Sequence, residues 1–188
     1  MCKGISCIYG FCKPEQHDEG VVTEYAPILV AVNFKEGIMN MTWREQWSVG
    51  NAVIDSDHKK LVGLINYIDC VTKAKDSFEL SRALKLFKDC MNRHSINEEQ
   101  LAQVLDFPFA AHKVAHQNIQ AEIDFTGTDL AKYEREKNSM ATVFVMEHYA
   151  QFLWDCLIKH ITEEDMLMKP VLQTCPYDFR IDEAPAYS

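Results

Sequence analysis

The spacing of apolar and polar residues changes near residue 41 of the 188-residue chain. Before that point no helical periodicity is sustained and glycine and proline recur, which predicts an irregular N-terminal arm over 1–40. From residue 41 apolar residues recur at the three- and four-residue spacing of amphipathic helices, and no strand pattern competes with them. The pattern predicts an all-α domain over 41–175 and a C-terminal tail over 176–188.

The first two predicted helices start at residues that favour helix N-termini. The first begins at Asp55 or Ser56, either of which can cap it, and continues to about residue 74. The second begins at Asp76, which forms a capping-box pattern with Glu79 three residues later, and it ends before Pro108.

The other two predicted helices end at glycine and proline. The third covers 109–126 with Gly127 as its stop, and the fourth begins near residue 138 and ends before Pro170. The charged stretch over 128–137 is either a connection or an N-terminal extension of the fourth helix. Four helices with short connections predict an up-down-up-down four-helix bundle.

The net negative charge of the chain argues against some classes of binding partner. The formal net charge is −9 and no stretch is rich in lysine or arginine, which argues against nucleic acid and anionic membrane surfaces. The first ten residues lack the long apolar run of a signal peptide, and the apolar run over 28–32 is too short to span a bilayer. We therefore expect a cytoplasmic protein.

The seven cysteines are odd in number and show no zinc-ribbon or thioredoxin spacing, so we expect most of them to be free thiols in a reducing cytosol. Three of them are spaced five residues apart in the arm. This set either binds metal or takes part in redox chemistry, or it consists of thiols in an unstructured segment. The three are Cys2, Cys7 and Cys12.

Five of the seven histidines fall on the predicted apolar helix faces. A single histidine in such a stripe is usually a core residue bonded to a carbonyl group. Five of them, spread over all four helices, would each cost about 1–3 kcal/mol if buried without a partner, and metal coordination would satisfy them all. The five are His58, His94, His112, His116 and His160, whereas His17 and His148 are expected on the surface.

The spacing of these histidines supports a metal site. His94 and Glu98 lie four residues apart on one helix face, and so do His112 and His116. Imidazole and carboxylate together suit zinc, iron, copper or nickel. Five histidines with a carboxylate exceed the needs of one tetrahedral zinc, so two metal ions bridged by carboxylates are predicted.

The fourth helix leaves the choice of its carboxylate open. Glu163 and Glu164 share the face of His160 on an ideal helix, whereas Asp165 lies about 140° away. Ideal geometry selects Glu164, and a turn widened as in a π-bulge would select Asp165 instead.

Taken in order, these residues resemble the ligand signature of the hemerythrins, particularly the bacterial ones. The resemblance covers about residues 41–172 and includes Trp43, the run Ile54-Asp55-Ser56-Asp57-His58-Lys59-Lys60-Leu61 and Pro108. Its ligand positions are His58, His94-x3-Glu98, His112-x3-His116 and His160-x4-Asp165.

The resemblance implies a centre of two iron ions joined by an oxo or hydroxo group. One ion would be held by three histidines, and the other, with an open position for dioxygen, by two. The three are His112, His116 and His160, the two are His58 and His94, and the bridging carboxylates are Glu98 and Asp165.

Two positions depart from the bacterial hemerythrins, which commonly carry Phe after the second-helix histidine and Trp four residues before the last one. Ser95 and Cys156 occupy these positions here. With Leu157 and Ile161, they are expected to line the oxygen pocket, which would then be wider or more polar than usual.

The function expected from the resemblance is oxygen carriage, storage or sensing rather than catalysis. A centre rich in neutral imidazole donates less charge to iron than carboxylate-rich oxygenase centres, which favours release of intact dioxygen. The alternative is a di-iron redox enzyme acting on peroxide or nitric oxide, which a wider pocket would favour. Besides dioxygen itself, the partners left open are an oxygen-consuming enzyme and a signalling protein.

Overall fold

The computed structural model describes residues 41–137 and 139–181, which contain four long helices and no β-strand. Predictions made for the arm, including those for Cys2, Cys7 and Cys12, lie outside the described residues. Within them, no helix is long and apolar enough to cross a membrane. The helices are α1 (Ala52–Lys73), α2 (Ser77–Val104), α3 (Ala110–Arg135), α4 (Ser139–Lys159) and the short α5 (Lys169–Leu172).

The four long helices form a closed bundle. Helix α1 packs against α2 and α4, and α3 packs against the same two helices. Three residues separate α1 from α2 and five separate α2 from α3, while α4 begins four positions after α3 ends. Connections this short make neighbouring helices antiparallel. The all-α, up-down-up-down bundle is therefore confirmed.

Helix α1 begins earlier than predicted. Its N-cap is Asn51, whose side-chain oxygen accepts hydrogen bonds from the backbone N–H groups of Val53 at 3.0 Å and Ile54 at 3.3 Å. The prediction that Asp55 or Ser56 caps the helix is wrong. The Asp55 carboxylate is buried and instead accepts hydrogen bonds from the preceding loop, including the N–H of Val49 at 2.9 Å.

Helix α2 begins and ends as predicted. Asp76 is its N-cap and accepts a hydrogen bond from the Glu79 N–H at 3.0 Å. In a full capping box the Glu79 carboxylate would accept a hydrogen bond from the N-cap N–H. Here it accepts one from the Tyr67 hydroxyl at 2.9 Å instead. This contact ties the start of α2 to α1.

Helix α3 does not stop at Gly127 but continues to Arg135, so that prediction is wrong. The stretch that follows Gly127 extends α3 rather than α4. Leu130, about one turn later, is 1% exposed and belongs to the core. Thr126, which precedes the glycine, is also buried. Burial of these side chains outweighs the modest cost of a glycine inside a helix, about 1 kcal/mol.

The interior contains two separate apolar clusters. The small cluster lies around Ile54, Leu101 and Met168, and the large cluster includes Leu61 and Met91 and most of the remaining core. On both α1 and α2, the predicted metal-binding positions fall between residues of the small cluster and residues of the large one. A polar layer therefore crosses the bundle between two apolar regions.

The first part of the C-terminal tail lies against the start of α1. The carbonyl of Tyr177 accepts a hydrogen bond from the Ala52 N–H at 2.8 Å, and that of Phe179 accepts one from the Asn51 side-chain amide at 3.1 Å. Phe179 and Ile181 also pack against the small apolar cluster. Residues 177–181 thus cover the end of the bundle nearest the polar layer.

The described cysteines are free thiols, as expected for them. Cys70 and Cys90 are buried, Cys90 within the large apolar cluster, and Cys156 and Cys175 are partly buried. Burial raises the pKa of the Cys90 thiol, which keeps it protonated and unreactive at neutral pH.

Candidate metal centre

The structure brings together all seven side chains that were predicted to bind metal. They come from α1, α2 and α3 and from the segment that follows α4. Six of them are at most 1% exposed, and the most exposed, His112, is only 6% exposed. The seven are His58, His94, Glu98, His112, His116, His160 and Asp165.

A π-helical turn places the last two of these residues. After α4, residues His160–Glu164 form one turn of π-helix, in which the Asp165 N–H donates to the His160 carbonyl five residues earlier. The wider turn brings the Asp165 Oδ1 atom to 3.0 Å from His160 Nε2. Of the two carboxylates left open by the sequence, Asp165 lies inside the cluster, whereas the Glu164 side chain is 33% exposed.

The two carboxylate oxygens of Asp165 face different histidines. Oδ1 lies 3.0 Å from the Nε2 atoms of both His112 and His160. Oδ2 lies 2.8 Å from His58 Nε2 and 3.7 Å from His94 Nε2. The carboxylate therefore stands between two groups of imidazoles, as a ligand shared by two ions would.

Glu98 also contacts both groups of histidines. Its Oε2 atom lies 2.9 Å from His112 Nε2, 3.3 Å from His116 Nε2 and 3.4 Å from His94 Nε2. Because these imidazoles come from two different helices, Glu98 joins α2 to α3 at the level of the cluster.

The donor atoms of the cluster fit a metal centre better than a hydrogen-bond network. Although these atoms are close, most have no partner with hydrogen-bond geometry, including both ring nitrogens of His58 and His94 and both oxygens of Glu98 and Asp165. An unsatisfied buried polar group costs about 1–3 kcal/mol. Donor atoms from five of the seven residues lie within 4.8 Å of one another, and imidazole with carboxylate is a transition-metal donor set.

The charges of the cluster suit a cation. Burial and the nearby Asp165 raise the pKa of Glu98, but the charge of His94 and the close imidazoles of two other histidines outweigh them and lower it to about 2. Burial likewise opposes ionisation of Asp165, but the charge of His160 and the close imidazole nitrogens around the carboxylate hold its pKa well below the usual range. Both carboxylates are thus ionised at neutral pH, as metal ligands must be.

The histidines of the cluster differ in the direction in which their pKa values are shifted. Burial lowers the pKa of His94 to about 4, so this imidazole is neutral and free to donate. Burial also acts against the charge on His112 and His160, but the carboxylates Asp165 and Glu98 outweigh it and raise their pKa values to about 9 and about 10. A metal ion bound at these two residues would take the place of a proton on each.

Three further side chains lie beside the cluster, and the sequence had suggested a role, that of a metal ligand, for Glu164 alone. The Phe109 ring stacks on His112 at 4.7 Å between centroids, and the Trp43 ring lies 6.1 Å from that of His58. Glu164 contacts His160 from the side opposite the cluster. Spacing could also have revealed Phe109, since it precedes His112 by three residues.

The predicted oxygen-pocket residues differ in burial. Leu157 and Ile161 are almost fully buried in the large apolar cluster, whereas Ser95 and Cys156 are only partly buried. Trp154, the tryptophan nearest to Cys156 in the sequence, packs partly buried against the same cluster. That these residues surround dioxygen stays a prediction.

The surface histidine expected on the fourth helix is confirmed. His148 is exposed, and its ring lies parallel to that of Phe144 at 6.1 Å. It is therefore separate from the buried cluster.

Fold and site together define a four-helix domain with a buried cation centre of histidines and carboxylates. Residues 49–172 match the family described as the hemerythrin HHE cation binding domain. The chain belongs to the hemerythrin family, which implies that the cluster binds non-haem iron.

Curated relatives agree with this assignment at low identity. Hemerythrin-like proteins of Naegleria gruberi and Naegleria fowleri are each 27% identical over 133 residues, which cover 69% of this chain and 92% of the relative. A bacteriohemerythrin of Pseudomonas aeruginosa is 27% identical over 79 residues, which cover 42% of this chain. The match spans about half (52%) of that bacterial relative. No solved structure matches the chain.

Proposed function

We propose that this domain holds two iron ions at the seven-residue cluster and binds dioxygen there reversibly. The observation that carries the proposal is the position of Asp165, whose two oxygens face separate groups of histidines. A single ion would need only one of these two groups of histidines as ligands. The name of the Pseudomonas relative, bacteriohemerythrin, supports the same reading.

The contacts suggest how the ligands divide. On the Oδ1 side of Asp165, His112 and His160 are joined by His116, whose Nε2 lies 2.7 Å from His160 Nε2. On the Oδ2 side only His58 and His94 are near. The second side therefore offers one imidazole fewer and leaves more room for a small ligand. Two iron ions held by these residues would supply the reversible electron transfer that dioxygen binding needs.

The surrounding residues keep bulk water away from the cluster. Leu157 and Ile161 from the large apolar cluster and Ile54 from the small one are all at most 1% exposed. A dry, imidazole-rich interior favours release of intact dioxygen over further oxidation, because high charge on the metal is weakly stabilised there.

The proposal is tested by iron content and by the absorption spectrum of the reduced protein before air, after air and after removal of oxygen. We expect two irons per chain and a colour that develops and fades reversibly. His58→Ala should lose iron, whereas His148→Ala, which removes an exposed imidazole outside the cluster, should not. One iron or one zinc per chain, in protein prepared with sufficient iron, would refute the proposal.

A di-iron redox enzyme acting on peroxide or nitric oxide is the second candidate. The observation that favours it is the partial burial of Ser95 and Cys156 at positions where large aromatic rings would fill space. Catalytic consumption of peroxide or nitric oxide by the iron-loaded protein, together with no stable oxygenated spectrum, would establish this candidate instead.

A further inference from the structure

His160 lies between two carboxylates. Its Nε2 atom lies 3.0 Å from Asp165 Oδ1, inside the cluster, and its Nδ1 atom lies 2.5 Å from Glu164 Oε2, on the opposite edge of the ring. The π-turn makes this possible because it displaces Asp165 toward the cluster and leaves Glu164, four residues after His160, behind the imidazole. Two consecutive acidic residues, Glu164 and Asp165, thus contact opposite sides of one imidazole ring.

Three of the other buried imidazoles of the cluster lack such a partner. Among the described residues, the Nδ1 atoms of His58, His94 and His116 have no hydrogen-bond partner. His160 itself is 1% exposed, so water does not replace the carboxylate at its Nδ1 atom. Glu164 therefore gives the side of the cluster that contains His112, His116 and His160 a carboxylate contact at an Nδ1 atom, which His58 and His94 on the other side lack.

A carboxylate behind a metal-binding histidine has two effects. It fixes the proton on one ring nitrogen, so that the other nitrogen presents its lone pair to the metal, and it makes the imidazole a stronger donor. A stronger donor stabilises the higher charge of an oxidised ion. The Glu164 side chain is one-third exposed, so solvent screens part of this charge but not the hydrogen bond.

We propose that Glu164 is a positioning residue of the centre, which accepts the Nδ1–H of His160, presents His160 Nε2 to the metal and favours the oxidised state of the ion on that side. The inference rests on the proposed metal-binding function. Glu164 acts through His160 and is not itself a ligand.

The test compares Glu164→Ala, Glu164→Gln and the control Glu163→Gln in the full chain. Glu163 is the exposed neighbour, so its variant removes the same charge from the same segment. Two quantities are measured: the affinity for Co²⁺ by competition with a chelator, and the midpoint reduction potential of the iron-loaded protein.

We expect Glu164→Ala to weaken Co²⁺ binding by about 10- to 100-fold. Glu164→Gln can still accept the hydrogen bond through its amide oxygen, so it should recover most of the affinity while raising the reduction potential, because the negative charge is gone. Glu163→Gln should change neither quantity. A shift in potential separates this role from a merely structural one, which would change only the stability of the fold.

Two results would overturn the role of Glu164 alone. One is a Glu164→Ala protein that binds Co²⁺ as tightly as the native chain with an unchanged potential. The other is loss of one bound ion in both Glu164 variants, which would make Glu164 a ligand. A native chain that binds no metal would overturn the proposed function itself, and this inference with it.

Discussion

Asp165 offers a sharp test of the centre because one side chain reaches both groups of histidines. Asp165→Ala removes the oxygen 3.0 Å from His112 Nε2 and His160 Nε2 and the oxygen 2.8 Å from His58 Nε2. The three-histidine side would then keep its imidazoles and Glu98. The two-histidine side would keep only two imidazoles and Glu98, so we expect its ion to be lost first.

The magnitude follows from the place of the carboxylate in the cluster. Partners that only orient a ligand already change metal affinity by about 10- to 100-fold. Asp165 itself is fully buried among the donor atoms, so its loss should weaken the less coordinated ion by at least about 100-fold, which corresponds to about 2.7 kcal/mol.

The assay is metal content after desalting, combined with competition between the protein and a chelator for Fe²⁺ without oxygen. Asp165→Ala should retain one ion or none. Asp155→Ala removes an exposed carboxylate of α4 that is bonded to Gln151, and it should retain the native content. Two ions bound by Asp165→Ala within about threefold of the native affinity, or under about 0.7 kcal/mol, would show that the bridging assignment is wrong.

Three further predictions concern the surroundings of the centre. Ser95→Phe/Cys156→Trp should fill the pocket that is predicted to be wider or more polar than usual, exclude water from it and slow the decay of the oxygenated spectrum several-fold. An unchanged or faster decay would refute the prediction of a wider or more polar pocket. Asn51→Ala should lower the free energy of unfolding by about 2 kcal/mol in urea denaturation, because a helix cap and the hydrogen bond to Phe179 are lost together; a loss below about 0.5 kcal/mol would contradict this. A chain shortened to begin at Met41 should bind as much iron as the full chain, unless residues 1–40 supply a ligand.

The grouping of the predicted metal-binding residues was foreseeable because it depends on local spacing. Residues four apart on a helix share a face, so His94 with Glu98 and His112 with His116 had to point in one direction once their helices formed. Burial of that face then brought the pairs together. Asp165 was different, since helical periodicity alone selects Glu164 and only the resemblance indicated the wider turn found at His160.

The two wrong helix ends have tertiary causes. Asn51 caps α1 because its amide also reaches the carbonyl of Phe179, a partner that no local pattern identifies. Asp55 has cap chemistry but is used to hold the preceding loop. Helix α3 continues through Gly127 because Leu130 is buried by neighbouring helices. In each case a contact between distant segments outweighed the local preference.

The hydrogen bond between Asn51 and Phe179 joins positions that are 128 residues apart, and this has a consequence for biosynthesis. During translation, α1 and α2 leave the ribosome well before Asp165 and Phe179 are made. His58, His94 and Glu98 are therefore synthesised well before the carboxylate that faces both histidine groups. We therefore expect a complete metal centre to form only after Asp165 has been made, and the start of α1 to gain its hydrogen bond to Phe179 later still.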